Sequence, residues 1–156
     1  MFHVRSLVLA ECFQKTVAMD GMLYVIGGYT ADSNRRVSRY DPSTNTWLRL
    51  ANTNQGHENH GAAAGGGYLW TYGGWNSDFE RYDPSTDTWT TLASPSVSLG
   101  TGGNNLVWLD PYLYVFGGYS TSNTYRYDPV AGTWTTLANS GYSRYNGYPV
   151  AGMNIV

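Results

Sequence analysis

Three near-copies of one nonapeptide stand in the chain: RYDPSTNTW at 39–47, RYDPSTDTW at 81–89 and RYDPVAGTW at 126–134. Other residues keep the same beat. Gly27-Gly28, Gly73-Gly74 and Gly117-Gly118 are spaced by 46 and 44 residues, and Trp47, Trp89 and Trp134 by 42 and 45. Self-similarity at a fixed period means one supersecondary unit, repeated, that buries its apolar face only against a neighbouring copy. The distance from Gly pair to Trp varies, at 20, 16 and 17 residues, so the length differences belong to a loop between them.

Each unit reads as strands. An apolar run precedes each Gly pair: MLYVI (22–26), YLWTY (68–72) and YLYVF (112–116). Val, Tyr, Trp and Phe favour a pleated, buried surface, and a run of five bounded by glycine is a central strand. The next strand carries VSRY, DFERY or NTYRY and stops at Asp41-Pro42, Asp83-Pro84 or Asp128-Pro129. Asp accepts a hydrogen bond from backbone two residues on and Pro fixes φ, so the chain reverses there into NTWLRLA, DTWTTLA or GTWTTLA, an outer, half-polar strand. Aligned on the Gly pairs, QKTVAM (14–19), HGAAAG (60–65) and NNLVWL (104–109) supply a fourth strand. HGAAAG is small enough that it must lie against a close neighbour. Each unit is thus a four-stranded antiparallel meander.

This order of an innermost strand, an apolar strand ending in Gly-Gly, a Tyr-Asp-Pro hairpin and then Trp resembles the kelch repeat, from about residue 13 to 138 with a fragment at the C-terminus. The resemblance implies an all-β fold, a β-propeller of four-stranded blades set radially around a channel, with Tyr40, Tyr82, Tyr127 and the three tryptophans wedged between blades. A buried aromatic removes ~150–250 Å² from water, about 4–6 kcal/mol gross at ~25 cal/mol per Å². The expected domain is a single partial propeller over 1–156, with blades at about 13–53, 57–95 and 101–139. Terminal strands are expected at about 3–10, where HVRSLVLA resembles the end of an outer strand, and 145–154.

Three blades are fewer than the four to eight of a propeller. An open arc leaves two aromatic faces bare, and such patches mark association sites. The expectation is therefore a homo-oligomer, a dimer whose two arcs close one ring. A piece of a longer propeller and a small propeller with an odd fourth blade are the rival readings.

Composition excludes several functions. The formal net charge is −2, with Lys15 the sole lysine and the arginines largely scattered, so nucleic acid is not an expected partner. Cys12 is the sole cysteine, which excludes an intrachain disulfide and a multi-cysteine zinc site. SLVLAEC at 6–12 glances at a lipoprotein box, but its apolar run is short and Glu11 stands where a small residue is required. No segment reaches transmembrane length. A soluble chain is expected, with its compartment open.

In such folds function lies in loops and at the channel mouth. Tyr29, Trp75 and Tyr119 follow the Gly pairs directly and open variable loops rich in Asn, Ser and Asp, a setting for anchoring a peptide or stacking on a sugar, or for packing on the next blade. Gln14, His60 and Asn104 align at the start of the innermost strand, facing the channel or its mouth; the resemblance implies a backbone-bonding role for them. The stretch GHENHG (56–61) places His57, Glu58 and His60 together, but His-x-x-His suits a strand-borne metal site poorly because alternate residues face opposite sides. Arg39, Arg81 and Arg126 recur at one position and are expected to pack their stems locally.

Some propellers are copper radical oxidases, sugar epimerases or cyclotransferases. Here Cys12 is alone, histidines number three, and no acid is paired with a base at a convincing spacing; Glu58, His60 and Arg144 are the nearest to such a set. A Gly-x-Ser-x-Gly nucleophile motif is absent. The sequence therefore reads as a non-catalytic interaction module without cofactor or metal, self-associating and binding a protein partner. The alternative is a carbohydrate-binding or sugar-modifying propeller that uses the loop aromatics.

Overall fold

The computed structural model describes residues 12–29, 34–96, 102–118 and 120–143. The expected terminal strands near 3–10 and 145–154 lie outside the described residues, as do Tyr119 and Arg144. Among the described residues there is no helix, and the strands form three four-stranded antiparallel sheets, each in simple sequence order. Blade 1 holds β1 (Lys15–Met19), β2 (Met22–Ile26), β3 (Val37–Asp41) and β4 (Thr46–Arg49). Blade 2 holds β5 (Gly61–Gly65), β6 (Tyr68–Tyr72), β7 (Phe79–Asp83) and β8 (Thr88–Leu92). Blade 3 holds β9 (Asn105–Leu109), β10 (Tyr112–Phe116), β11 (Thr124–Asp128) and β12 (Thr133–Thr136). The innermost strands lie side by side, β1 against β5 and β5 against β9, which is the radial arrangement of a propeller.

Turn chemistry sets the register. Asp20-Gly21 and Gly66-Gly67 join the inner pairs with φ of 51°, 76°, 61° and 81°, the double left-handed geometry of a two-residue hairpin. The repeated hairpin is built by its aspartate. Asp41 Oδ1 accepts from the Ser43 N–H at 2.8 Å, Asp83 Oδ1 from the Ser85 N–H at 2.8 Å, and Asp128 Oδ1 from the Val130 N–H at 2.9 Å. Two residues before each Trp the chain enters the left-handed region, at Asn45 (φ 55°), Asp87 (φ 52°) and Gly132 (φ 67°). Those three residue types visit that region most readily, which explains why the hairpin varies there as N, D and G.

The Gly pairs serve a close approach. A Cβ on Gly27 would stand 2.0 Å from the His57 carbonyl oxygen, and one on Gly73 2.1 Å from Asn104 Oδ1. The segments ahead of β5 and β9 therefore seat on the Gly pair of the blade before, and the Gly28 N–H donates to the His57 carbonyl at 2.9 Å.

Two cores lie between blades. Tyr24, Ile26, Val37 and Leu50 of blade 1 meet Leu69, Tyr82 and Trp89 of blade 2. Ala63, Trp70, Tyr72 and Phe79 of blade 2 meet Leu106, Leu113, Val115, Tyr125 and Tyr127 of blade 3. The smallness of β5 has its cause here: the Trp108 ring covers Gly65, where a Cβ would stand 1.9 Å from Trp108 Cγ, and stacks on Trp70 at 6.0 Å and 14°.

Candidate functional site

The residues ahead of the innermost strands form one end of the arc. Gln14, His60 and Asn104 each stand one residue before β1, β5 and β9. Gln14 is exposed, whereas His60 and Asn104 are buried. The Asn59 N–H donates to the Phe13 carbonyl at 3.0 Å and the Gly103 N–H to the Asn59 carbonyl at 2.6 Å, so this end is stitched from blade to blade by backbone. Asn104 Nδ2 reaches the Gly117 carbonyl at 3.5 Å, a long contact with its own blade's Gly pair.

Beneath this end lies a buried polar network that repeat-based reading did not find. His57 Nε2 meets Glu80 Oε2 at 2.8 Å and His57 Nδ1 meets the Gly73 carbonyl at 2.9 Å, with both side chains fully buried. The buried Thr71 hydroxyl lies 3.1 Å from the same Nε2, so the ring is held on both nitrogens by the protein's own groups. Glu80 also accepts from the Asn54 and Gln55 N–H groups at 3.1 and 3.3 Å and from Thr91 Oγ1 at 3.1 Å. Burial alone would raise the Glu80 pKa; the bonds from His57, Gln55 and Thr91 outweigh it and hold the carboxyl below its ordinary value. The pair ties the segment leaving blade 1 to the middle of blade 2.

His60 lies beside it, with its ring centroid 5.3 Å from that of His57. Neither His60 nitrogen has a hydrogen-bond partner among the described residues. Burial, then the charges of His57 and Lys15, push its pKa well below the ordinary imidazole value, so it is neutral. Lys15 is itself lowered by burial, and Glu58 is raised by burial against a bond from Asn34. His57 precedes β5 in a loop rather than standing on a strand, so strand alternation does not govern this pair, contrary to the sequence-based argument. Its two nitrogens are nevertheless taken, and among the described residues no group of three His, Cys, Asp or Glu side chains is placed to hold a metal.

The aromatics that follow the Gly pairs stand outward. Tyr29 is 59% and Trp75 66% exposed, and Tyr119 lies outside the described residues. Cys12 is exposed and its backbone bridges to Tyr29. The repeated arginines pack on rings: Arg81 Cζ lies 4.3 Å from the centroid of Tyr68 and Arg126 Cζ 4.3 Å from that of Tyr112. Blade 1 carries Met22 at the corresponding place, so Arg39 has no such ring.

The two flanks of the arc differ from its interior. Leu23 is 39% exposed where its counterparts Leu69 and Leu113 are fully buried, and Trp47 is 53% exposed against 8% for Trp89. Opposite, on blade 3, Tyr114 and Phe116 are half-buried where Trp70 and Tyr72 are buried. Among the described residues no helix is long and apolar enough to cross a membrane.

A family model described as the Kelch motif matches residues 12–54, 58–96 and 107–141. Kelch-like protein 31 of Danio rerio is 40% identical over 78 residues, and its human counterpart 36% over the same length, each alignment covering 44% of this chain and 12% of the relative. Kelch-like protein 21 of Bos taurus is 35% identical over 66 residues, 42% of this chain and 10% of the relative. The chain thus spans a small part of the curated relatives it matches. Among solved structures, that of YjhT superposes with a TM-score of 0.73 at 19% identity, over 86% of this chain and 54% of that one, which shows a shared fold.

Proposed function

The chain belongs to the kelch-motif family, and from that premise we propose that it is a non-catalytic interaction module that closes a propeller ring by self-association and binds a protein partner at its loops. The organisation proposed is one unit over 1–156, with blades at about 13–53, 57–95 and 101–139. The observation that carries this reading is the contrast between flank and interior. Leu23 and Trp47 on one side, and Tyr114 and Phe116 on the other, are the two halves of an interface the chain already forms twice. Two arcs joined head to tail about a twofold axis bury both halves at once. Partner binding is assigned to the exposed Tyr29 and Trp75, with Tyr119 as the third of the set. A non-catalytic role is supported by the one buried acid–base pair identified, His57 and Glu80, whose polar atoms are engaged with the protein's own groups.

Native mass spectrometry with light scattering tests the reading. A species of twice the 17.2 kDa chain mass is expected at micromolar concentration. A monomer across the accessible range overturns the self-association.

A further inference from the structure

Both interfaces between the described blades close with the same bond. Trp89 Nε1 donates to the Ala51 carbonyl at 3.1 Å, and Trp134 Nε1 donates to the Ala93 carbonyl at 2.8 Å. The alanine in each case follows a leucine at the end of the preceding blade's outer strand, Leu92 as the last residue of β8 and Leu50 just past β4. At the first interface the grip is double. The Ala51 N–H donates to Asp87 Oδ1 at 2.9 Å, so one peptide residue is held by its N–H and its carbonyl together. Asp87 is aimed by its own blade: its φ is 52°, and the Tyr82 hydroxyl donates to the same Oδ1 at 2.8 Å. Blade 3 has Gly132 at the position of Asp87 and keeps the tryptophan bond alone.

Blade 1 carries the complete device on its open flank. Asn45 sits where Asp87 does, with φ 55°, and the Tyr40 hydroxyl donates to its Oδ1 at 2.9 Å. Tyr40 and Trp47 pack at 5.1 Å and 43°, against 5.1 Å and 39° for Tyr82 and Trp89. Asn45 Oδ1 retains a lone pair, and Trp47 Nε1 has no acceptor among the described residues. At the far flank, the Leu137 N–H donates to the Thr124 carbonyl at 2.9 Å, as Leu50 does to Val37 at 3.1 Å, so Ala138 is presented as Ala51 is. Ala138 is exposed.

We infer that Asn45 and Trp47 form a peptide clamp whose occupant is Ala138 of a second copy, Trp47 Nε1 donating to its carbonyl and Asn45 Oδ1 accepting its N–H. The inference rests on the self-association reading and names the contact that sets its register. The second copy is the fitting occupant because its blade 3 supplies the same Leu-Ala exit and a flank of Tyr114 and Phe116 to receive Leu23 and Tyr40. In a twofold pair each chain gives one clamp and one alanine, so every clamp variant counts twice.

Sedimentation equilibrium of the full chain tests this. Trp47→Phe keeps a ring but loses the donor, and Asn45→Gly copies blade 3; each is expected to weaken the dimer about 5- to 100-fold, two hydrogen bonds lost per pair. Asn45→Asp copies blade 2, is compatible with the turn there, and is expected to tighten the dimer several-fold because a charged acceptor binds more strongly. The melting transition of each variant is recorded alongside, and Asn45→Asp decides the matter should the others fail to fold. A dimer indifferent to Asn45→Asp and to Trp47→Phe overturns the clamp and leaves self-association standing. A monomer at all concentrations overturns both.

Discussion

Replacing Glu80 with alanine is expected to remove about 3–5 kcal/mol of stability, the cost of stripping one member from a buried ion pair. The structure fixes where that cost arises. Four donors converge on the carboxylate, but Asn54, Gln55 and Thr91 belong to exposed residues, and water can reach their groups once the side chain is gone. His57 is fully buried between the Gly73 carbonyl and Glu80, so its Nε2 loses the carboxylate and keeps only the Thr71 hydroxyl at 3.1 Å, in a site poor in other polar groups. Against a domain stability of about 5–15 kcal/mol, the loss is a large fraction of the whole. His57→Leu leaves a buried carboxylate and is expected to cost a similar amount. Because each single variant leaves the other side chain buried without its 2.8 Å partner, the double variant is expected to cost at least ~2 kcal/mol less than the sum. Urea unfolding followed by tryptophan fluorescence, at one protein concentration because oligomerisation adds to apparent stability, measures all four corners of the cycle. A loss below ~1 kcal/mol for Glu80→Ala, or simple additivity, would refute the argument that the His57–Glu80 pair fastens the segment between blades 1 and 2 to β7.

Three further outcomes are expected. Acidification destabilises the fold: His60 and Glu80 both bind a proton less readily when folded, so stability is fully present above pH ~6.5, begins to fall below it through His60, and Glu80 adds to the fall below pH ~4.5. Glu58, raised by burial, opposes this in the acid range, and a melting midpoint unchanged from pH 8 to pH 4 would contradict the prediction. Gly65→Ala forces Trp108 off its stack with Trp70 and is expected to cost about 1–3 kcal/mol, with less lost when Trp108→Ala is combined with it; chemical denaturation reads both. Trp75→Ala is expected to leave the unfolding free energy within ~0.5 kcal/mol, since the ring is 66% exposed, and a loss above ~2 kcal/mol would make it a packing residue and not a binding one.

The repeat made the blades legible because every unit needs the same turn chemistry. Asp-Pro starts the hairpin, Asn45, Asp87 and Gly132 take the left-handed step, and Gly-Gly marks a close approach, all local demands that a residue type announces. What approaches the Gly pair was not legible, because the His57 carbonyl comes from the next blade, across about thirty residues of chain whose path the spacing leaves free. Glu80 went unnoticed for a related reason. Its counterparts are Ser38 and Tyr125, so a comparison that looks for sameness passes over it, while the ion pair with His57 is made by what one blade has and the others lack. Glu58, named in the same motif as His57 and His60, stands nearest them in sequence, yet the carboxylate that folding delivers to the imidazole lies 23 residues away on β7.

RYDPSTNTW and RYDPSTDTW differ at one residue, and the sequence by itself determined that both form the same hairpin with Trp beside Tyr. Tertiary structure decided the rest: Trp89 is sealed against Ala51 and Trp47 stands open. Local sequence sets the shape of a blade through turn geometry and strand period. Burial depends on whether another blade lies against it, and that is a property of the neighbour.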